Sequence, residues 1–128
     1  MAQICRQITV VVDDKVGRLA ELTDAIKDAG VNIVALCAWV EDGTGRLMAV
    51  TDDPDKACAA VSPLVTKCGF NEVVCTTIAN EIGTLNAVAR KLADAGISIR
   101  VIYLTAGDLA QGTVVMITSD NAKAAEIL

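Results

Sequence analysis

Five cysteines and no histidine set the limits of the chemistry open to this chain. Without histidine no Ser–His or Cys–His pair can activate a nucleophile, and no side chain has an ordinary pKa near neutrality. Carboxylate and lysine chemistry survive that argument. Triad hydrolases do not, Ser–Lys and terminal-amine variants aside. Cys5, Cys37, Cys58, Cys68 and Cys75 form no C-x-x-C pair, and zinc lacks a ligand set. Cys37 and Cys75 fall in strand-like runs, where cysteine behaves as a small hydrophobe; the reading is reduced, mostly buried thiols. Asp13, Asp14, Glu41 and Asp42 are of a type that binds cations, but each sits in a turn or loop, where solvated acids are ordinary. The expectation is no catalytic residue, no metal and no cofactor.

The informative residues are two glycines where the chain passes from a strand into a helix. One lies in Asp13-Asp14-Lys15-Val16-Gly17-Arg18-Leu19, the other in Ala79-Asn80-Glu81-Ile82-Gly83-Thr84-Leu85. Glycine permits positive φ and lets a ligand approach the backbone. The free N–H groups of a first helical turn carry partial positive charge, suited to a carboxylate. Asp14 or Asn80 would supply a side-chain oxygen for an amino group or amide. Glycine in a β–α turn is also ordinary turn chemistry. No G-x-G-x-x-G and no Walker sequence is present, which argues against dinucleotides and nucleoside triphosphates.

These loops belong to a repeat. An offset of 66 lays Gly17-Arg18-Leu19 on Gly83-Thr84-Leu85, Asp28-Ala29-Gly30 on Asp94-Ala95-Gly96, and Ile33 on Ile99. After one inserted residue, Gly45 falls on Gly112, Thr51 on Thr118, Asp53 on Asp120 and Lys56-Ala57 on Lys123-Ala124. Each copy runs strand, glycine loop, helix, strand, turn, strand, helix. The first helix carries Leu19, Leu22, Ile26 and Ala29, or Leu85, Val88, Leu92 and Ala95, on one stripe. Gly30 and Gly96 end it at positive φ. Asp53-Pro54 reads as an N-cap with proline at N1, and Pro63 should kink or split the second helix near Ser62.

The fold class is therefore α+β: ferredoxin-like βαββαβ modules in tandem, antiparallel sheets with helices on one face. The division is 1–70 and 71–128, the second module lacking a closing strand. Only one stretch, about Gly69 to Ile78, stands where two strands are needed. Either the first copy lacks its last strand or one long strand serves both; a reach of roughly 33 Å for ten residues favours the second. Strict alternation along 31–40 puts Val34, Leu36 and Val40 on the face opposite the helices, with Ile102 and Leu104 in the second copy. An apolar second face must be covered, by the other module or another chain.

A net charge of −5 and 2% aromatic residues argue against nucleic-acid binding. No apolar run approaches a membrane span and no leader pattern opens the chain, so the expected location is cytoplasmic.

The order of these motifs resembles the ACT domain, a β-α-β-β-α-β module of regulators of amino-acid metabolism. Its first loop often reads N-x-P-G-x-L. Asn80-Glu81-Ile82-Gly83-Thr84-Leu85 departs only at Ile82; Asp14-Lys15-Val16-Gly17-Arg18-Leu19 departs at Asp14 and Val16. Val31-Asn32-Ile33 after the helix-ending glycine looks like the family's "aGvNI" step, and Asp53–Ala57 resembles stand-alone tandem ACT proteins. The resemblance implies a non-enzymatic regulator that binds an amino acid where modules pair, as a homodimer or higher oligomer acting on a separate enzyme or transporter. It implies one site of Asp14, Val16, Gly17, Arg18 and Leu19 with Asn32 and Ile33. The other would use Asn80, Ile82, Gly83, Thr84 and Leu85 with Ser98 and Ile99. The Asp14/Asn80 difference implies unequal sites. The alternative is an interaction module that dimerises without a ligand.

Overall fold

Alternating β-branched residues open the chain as β1 (Gln3–Asp13), and the amphipathic stripe that follows forms α1 (Arg18–Asp28). The order continues with β2 (Ile33–Glu41), β3 (Thr44–Thr51), α2 (Pro54–Val61), a 3-10 turn at Ser62–Leu64 and β4 (Lys67–Ala79). It then repeats as α3 (Thr84–Asp94), β5 (Ile99–Thr105), β6 (Gln111–Thr118) and α4 (Asn121–Ile127). The computed structural model describes residues 2–106 and 110–128.

Local signals act where expected. The Asp53 carboxylate accepts the Lys56 N–H at 3.1 Å, and Asp120 repeats this with Lys123 at 3.0 Å. Gly30 and Gly96 take φ of 74° and 71°. The next N–H in each case, Val31 or Ile97, returns to the carbonyl of Ile26 or Leu92, which closes the helix with a Schellman turn. The α-helix stops at Val61, and Pro63 continues only as 3-10.

Two compact units result: an N-terminal module of Arg6–Asn71, and a C-terminal module of residues 72–128 together with the residues before Arg6. In the N-terminal module the strands run β2-β3-β1-β4, and in the C-terminal module β5-β6-β4-β1. β1 and β4 are thus each divided between modules, with breaks at Cys5/Arg6 and Asn71/Glu72. This differs from the 1–70 and 71–128 division at the first residues: the beginning of β1 stands as the fourth strand that the C-terminal sequence leaves open. The physical reason is length, since 11 residues in β1 and 13 in β4 are enough for two short strands each.

The cores are duplicated too. Ile8, Leu22, Ile26, Val31, Leu47, Ala49 and Ala57 are buried in one; Val74, Val88, Leu92, Ile97, Val114, Met116 and Ala124 hold the same places in the other. The assignment of faces in β2 needs correction. A bulge between Ile33 and Ala35 shifts the alternation, so Leu36 pairs with Ala49 and packs against the helix-side core. Val40 follows Leu36 onto that face. An equivalent bulge between Ile99 and Val101 sets Ile102 opposite Met116 and Leu104 opposite Val114, again helix-side. The opposite face holds Ala35, Met48 and Val50, or Val73, Cys75 and Val115, and all are buried. The cysteines are not all reduced: Cys58 of α2 and Cys68 of β4 form a disulfide, while Cys5, Cys37 and Cys75 are free.

Candidate ligand sites beside two glycine-opened helices

β1 ends at Asp13, and the chain turns through Lys15, whose carbonyl accepts the Arg18 N–H at 3.2 Å. Gly17 stands at the head of α1 with φ 88°, and no side chain caps the helix. The second copy repeats this. Thr84 N–H reaches the Glu81 carbonyl at 3.4 Å, and Gly83 heads α3 with φ 87°, also uncapped. The Thr84 hydroxyl turns away, donating to the carbonyls of Ala79 and Glu81. Among the described residues no side chain occupies the amides of Gly17 or Gly83. The partial positive charge of both helix starts therefore faces outward.

A cavity of about 240 Å³ opens beside the first loop. Asp13, Asp14, Lys15 and Arg18 form its polar edge, and Leu19, Leu22, Ala38, Val40 and Leu47 its apolar wall. Arg18 crosses the edge with two hydrogen bonds to Asp13, 2.8 and 3.1 Å, and one to Glu21 at 2.7 Å. Those bonds raise the Arg18 pKa, and they hold the Asp13 carboxyl below the usual carboxylate range. The second cavity, about 250 Å³, is lined by Asn80, Glu81, Gly83, Thr84, Leu85 and Asn86 with Leu104, Ala106 and Gly112. Both volumes lie just below the ~300–1,000 Å³ of clefts that hold drug-sized ligands, a scale suited to a single small metabolite.

A family model described as "ACT domain pair" matches residues 3–128. The chain belongs to this family. Its structure is similar to that of protein BT0572 from Bacteroides thetaiotaomicron, with a TM-score of 0.88, 29% identity, and 99% of this chain and 88% of that one covered. It also resembles the ligand-free regulatory subunit of aspartate kinase from Thermus thermophilus, with a TM-score of 0.67, 17% identity and coverage of 98% and 93%. The structure of aspartokinase alpha and beta subunits gives a TM-score of 0.66, 17% identity and the same coverage, 98% and 93%. These last two likenesses concern the fold. No curated protein matches.

Within this ACT pair, the structure brings Asp14, Arg18 and Leu19 to the first cavity, and Asn80, Gly83, Thr84 and Leu85 to the second. Gly17 heads the adjoining helix. Val16 and Ile82 point wholly into solvent at the loop tips. Asn32 and Ile33 lie past the far end of α1, about 16 Å of helix away, where they line a separate surface hollow. There the Asn32 N–H is held by the Asp52 carboxylate at 3.0 Å. In the C-terminal ACT module, Ser98 N–H bonds the Ser119 hydroxyl at 3.0 Å, and Ile99 packs on the core. Neither module brings its own Asn32–Ile33 or Ser98–Ile99 step to its own loop.

Sequence reasoning missed the walls: Ala38, Val40 and Leu47 in one ACT module, Leu104 and Gly112 in the other. A signal existed. Pairing of Val12 with Gly45, and of Ile78 with Gly112, sets the β2–β3 and β5–β6 hairpins beside the loops, as the ferredoxin-like order requires. The glycines keep the walls close. A Cβ at Gly112 would stand 2.8 Å from the Thr105 carbonyl oxygen, and one at Gly45 would stand 3.1 Å from Val12 Cγ1. Among the described residues no cluster could hold a metal ion. No described helix is long and apolar enough to cross a membrane.

Proposed function

We propose that this ACT pair senses a free amino acid beside its glycine-opened helices and reports occupancy to a separate metabolic enzyme or transporter. Family membership supports the coarser statement, a small-molecule-sensing regulatory role. The observation that carries the finer one is the recurrence, in both modules, of an uncapped helix start beside a cavity of amino-acid size. The regulatory subunit of aspartate kinase, which shares the fold, is consistent with a chain that regulates without catalysing. This reading takes the protein to be a cytoplasmic homodimer or larger assembly. Asn32–Ile33 and Ser98–Ile99 would then serve sites on a neighbouring module.

Thermal shift against the standard amino acids tests it. At a hundred times its dissociation constant a ligand adds about 2.7 kcal/mol to the folded state, a clear rise in melting temperature. A flat panel, repeated by calorimetry, removes the proposal. The fully exposed Val16 and Ile82 favour a second reading, assembly without a ligand. Sedimentation that is indifferent to every amino acid would favour that one.

A further inference from the structure

The two cavities differ in charge more than the Asp14/Asn80 exchange indicates. Two cations of the loop, Lys15 and Arg18, line the first together with Asp13 and Asp14; Arg46 pairs with Trp39 on the other sheet face and turns to Glu41. Arg18 commits three N–H groups to Asp13 and Glu21, and two remain of its five. Its guanidinium is thereby fixed at the cavity edge with donors to spare. In the second copy the positions of Asp13, Arg18 and Glu21 are taken by Ala79, Thr84 and Ala87. Among the described residues lining that cavity there is no cation, and the one charge is Glu81. A carboxylate arriving there meets helix amides and a like charge. In the first cavity it meets helix amides and an anchored arginine.

The remaining wall of the first cavity is carbon: Leu19, Leu22, Val40 and Leu47. A charged side chain placed against it would lose water without gaining a partner. Resting on the amino-acid reading above, we infer that the N-terminal ACT module holds the working site and that its ligand is an amino acid with an apolar side chain. Arg18 and the first-turn amides take the carboxylate, Asp14 takes the ammonium, and Leu19 and Val40 cover the side chain.

Isothermal titration of the full chain, with each standard amino acid, tests this. The expected result is one equivalent per chain, with an aliphatic or aromatic amino acid. Leu19→Ala should weaken it about tenfold through lost apolar burial, and Leu19→Met should restore most of the affinity. Arg18→Gln should weaken any amino acid while sparing the order of preference. Glu126→Gln, exposed on α4 of the other module, should leave affinity within about twofold. Two equal equivalents per chain, or preference for a charged amino acid, overturn the inference and leave amino-acid sensing standing. No binding by any member overturns both.

Discussion

Arg18 grips Asp13 through two parallel hydrogen bonds, 2.8 and 3.1 Å long, that span the loop between β1 and α1. Those bonds, and the charges of Arg18 and of Lys15 at 3.6 Å, lower the Asp13 pKa from its ordinary 3.8. The unfolded chain therefore binds the proton more readily than the folded one. The stabilisation is fully present above the ordinary value and is lost as pH falls through the depressed one. NMR titration of the Asp13 carboxyl should show a midpoint below 3.8 that moves back toward it in Arg18→Gln. An identical midpoint in both proteins would mean that the pair does not persist in solution.

Gly17 and Gly83 occupy the left-handed region, yet a Cβ built on either meets nothing within 4 Å. Alanine there incurs a backbone penalty and no clash, about 1–2 kcal/mol each. Urea unfolding of Gly17→Ala and Gly83→Ala should show that loss, with Asn variants intermediate because Asn tolerates this region better. Losses of only a few tenths would show that the loops relax out of positive φ.

Gly112 presents the reverse case, an unstrained backbone in a crowded place. The 2.8 Å approach of a Cβ to the Thr105 carbonyl would push β5 and β6 apart. We expect Gly112→Ala to cost about 1–3 kcal/mol, the range for overpacking. Gly45→Ala should cost less, because its nearest neighbour is a side-chain methyl at 3.1 Å. Equal denaturation midpoints for the two variants would contradict this order.

The Cys58–Cys68 disulfide joins positions 10 apart in sequence, with Cα atoms at 5.9 Å. A loop of that size contributes about 2–3 kcal/mol by restricting the unfolded chain. Dithiol treatment, or Cys58→Ser, should lower the melting temperature accordingly, and treating the variant should change nothing more. Burial, with a hydrogen bond to Cys5, pushes the Cys75 thiol up to about 12. That thiol should resist alkylation at neutral pH until the protein unfolds, since the thiolate is the reactive form. Labelling of Cys75 in the native protein as fast as in urea would refute its burial.

Much of this was legible in the sequence where a local rule decides the outcome. Asp53 and Asp120 announce helix starts because a carboxylate at that spot has one nearby N–H to accept. Gly17, Gly30, Gly83 and Gly96 announce positive φ because other residues are strained there. The face of Leu36 and Leu104 was not legible: a bulge of one residue inverts every later side chain, and nothing in Val34 or Arg100 advertises it. The Cys58–Cys68 pair was hidden because it depends on how α2 lies on β4, a tertiary matter. The difference between the cavities was underread, because Arg18 means something only once Asp13 and Glu21 surround it.

The divided β1 also has a consequence for the order of events on the ribosome. Residues 6–13 of that strand find all their module partners within residues 6–71, whereas residues 3–5 belong with strands translated from residue 72 onward. Residues 3–5 emerge before the strands they join, so they must remain uncommitted while the N-terminal module closes behind them. A chain halted just past residue 71 would carry one finished module and one loose ribbon, open to any strand that reaches it first.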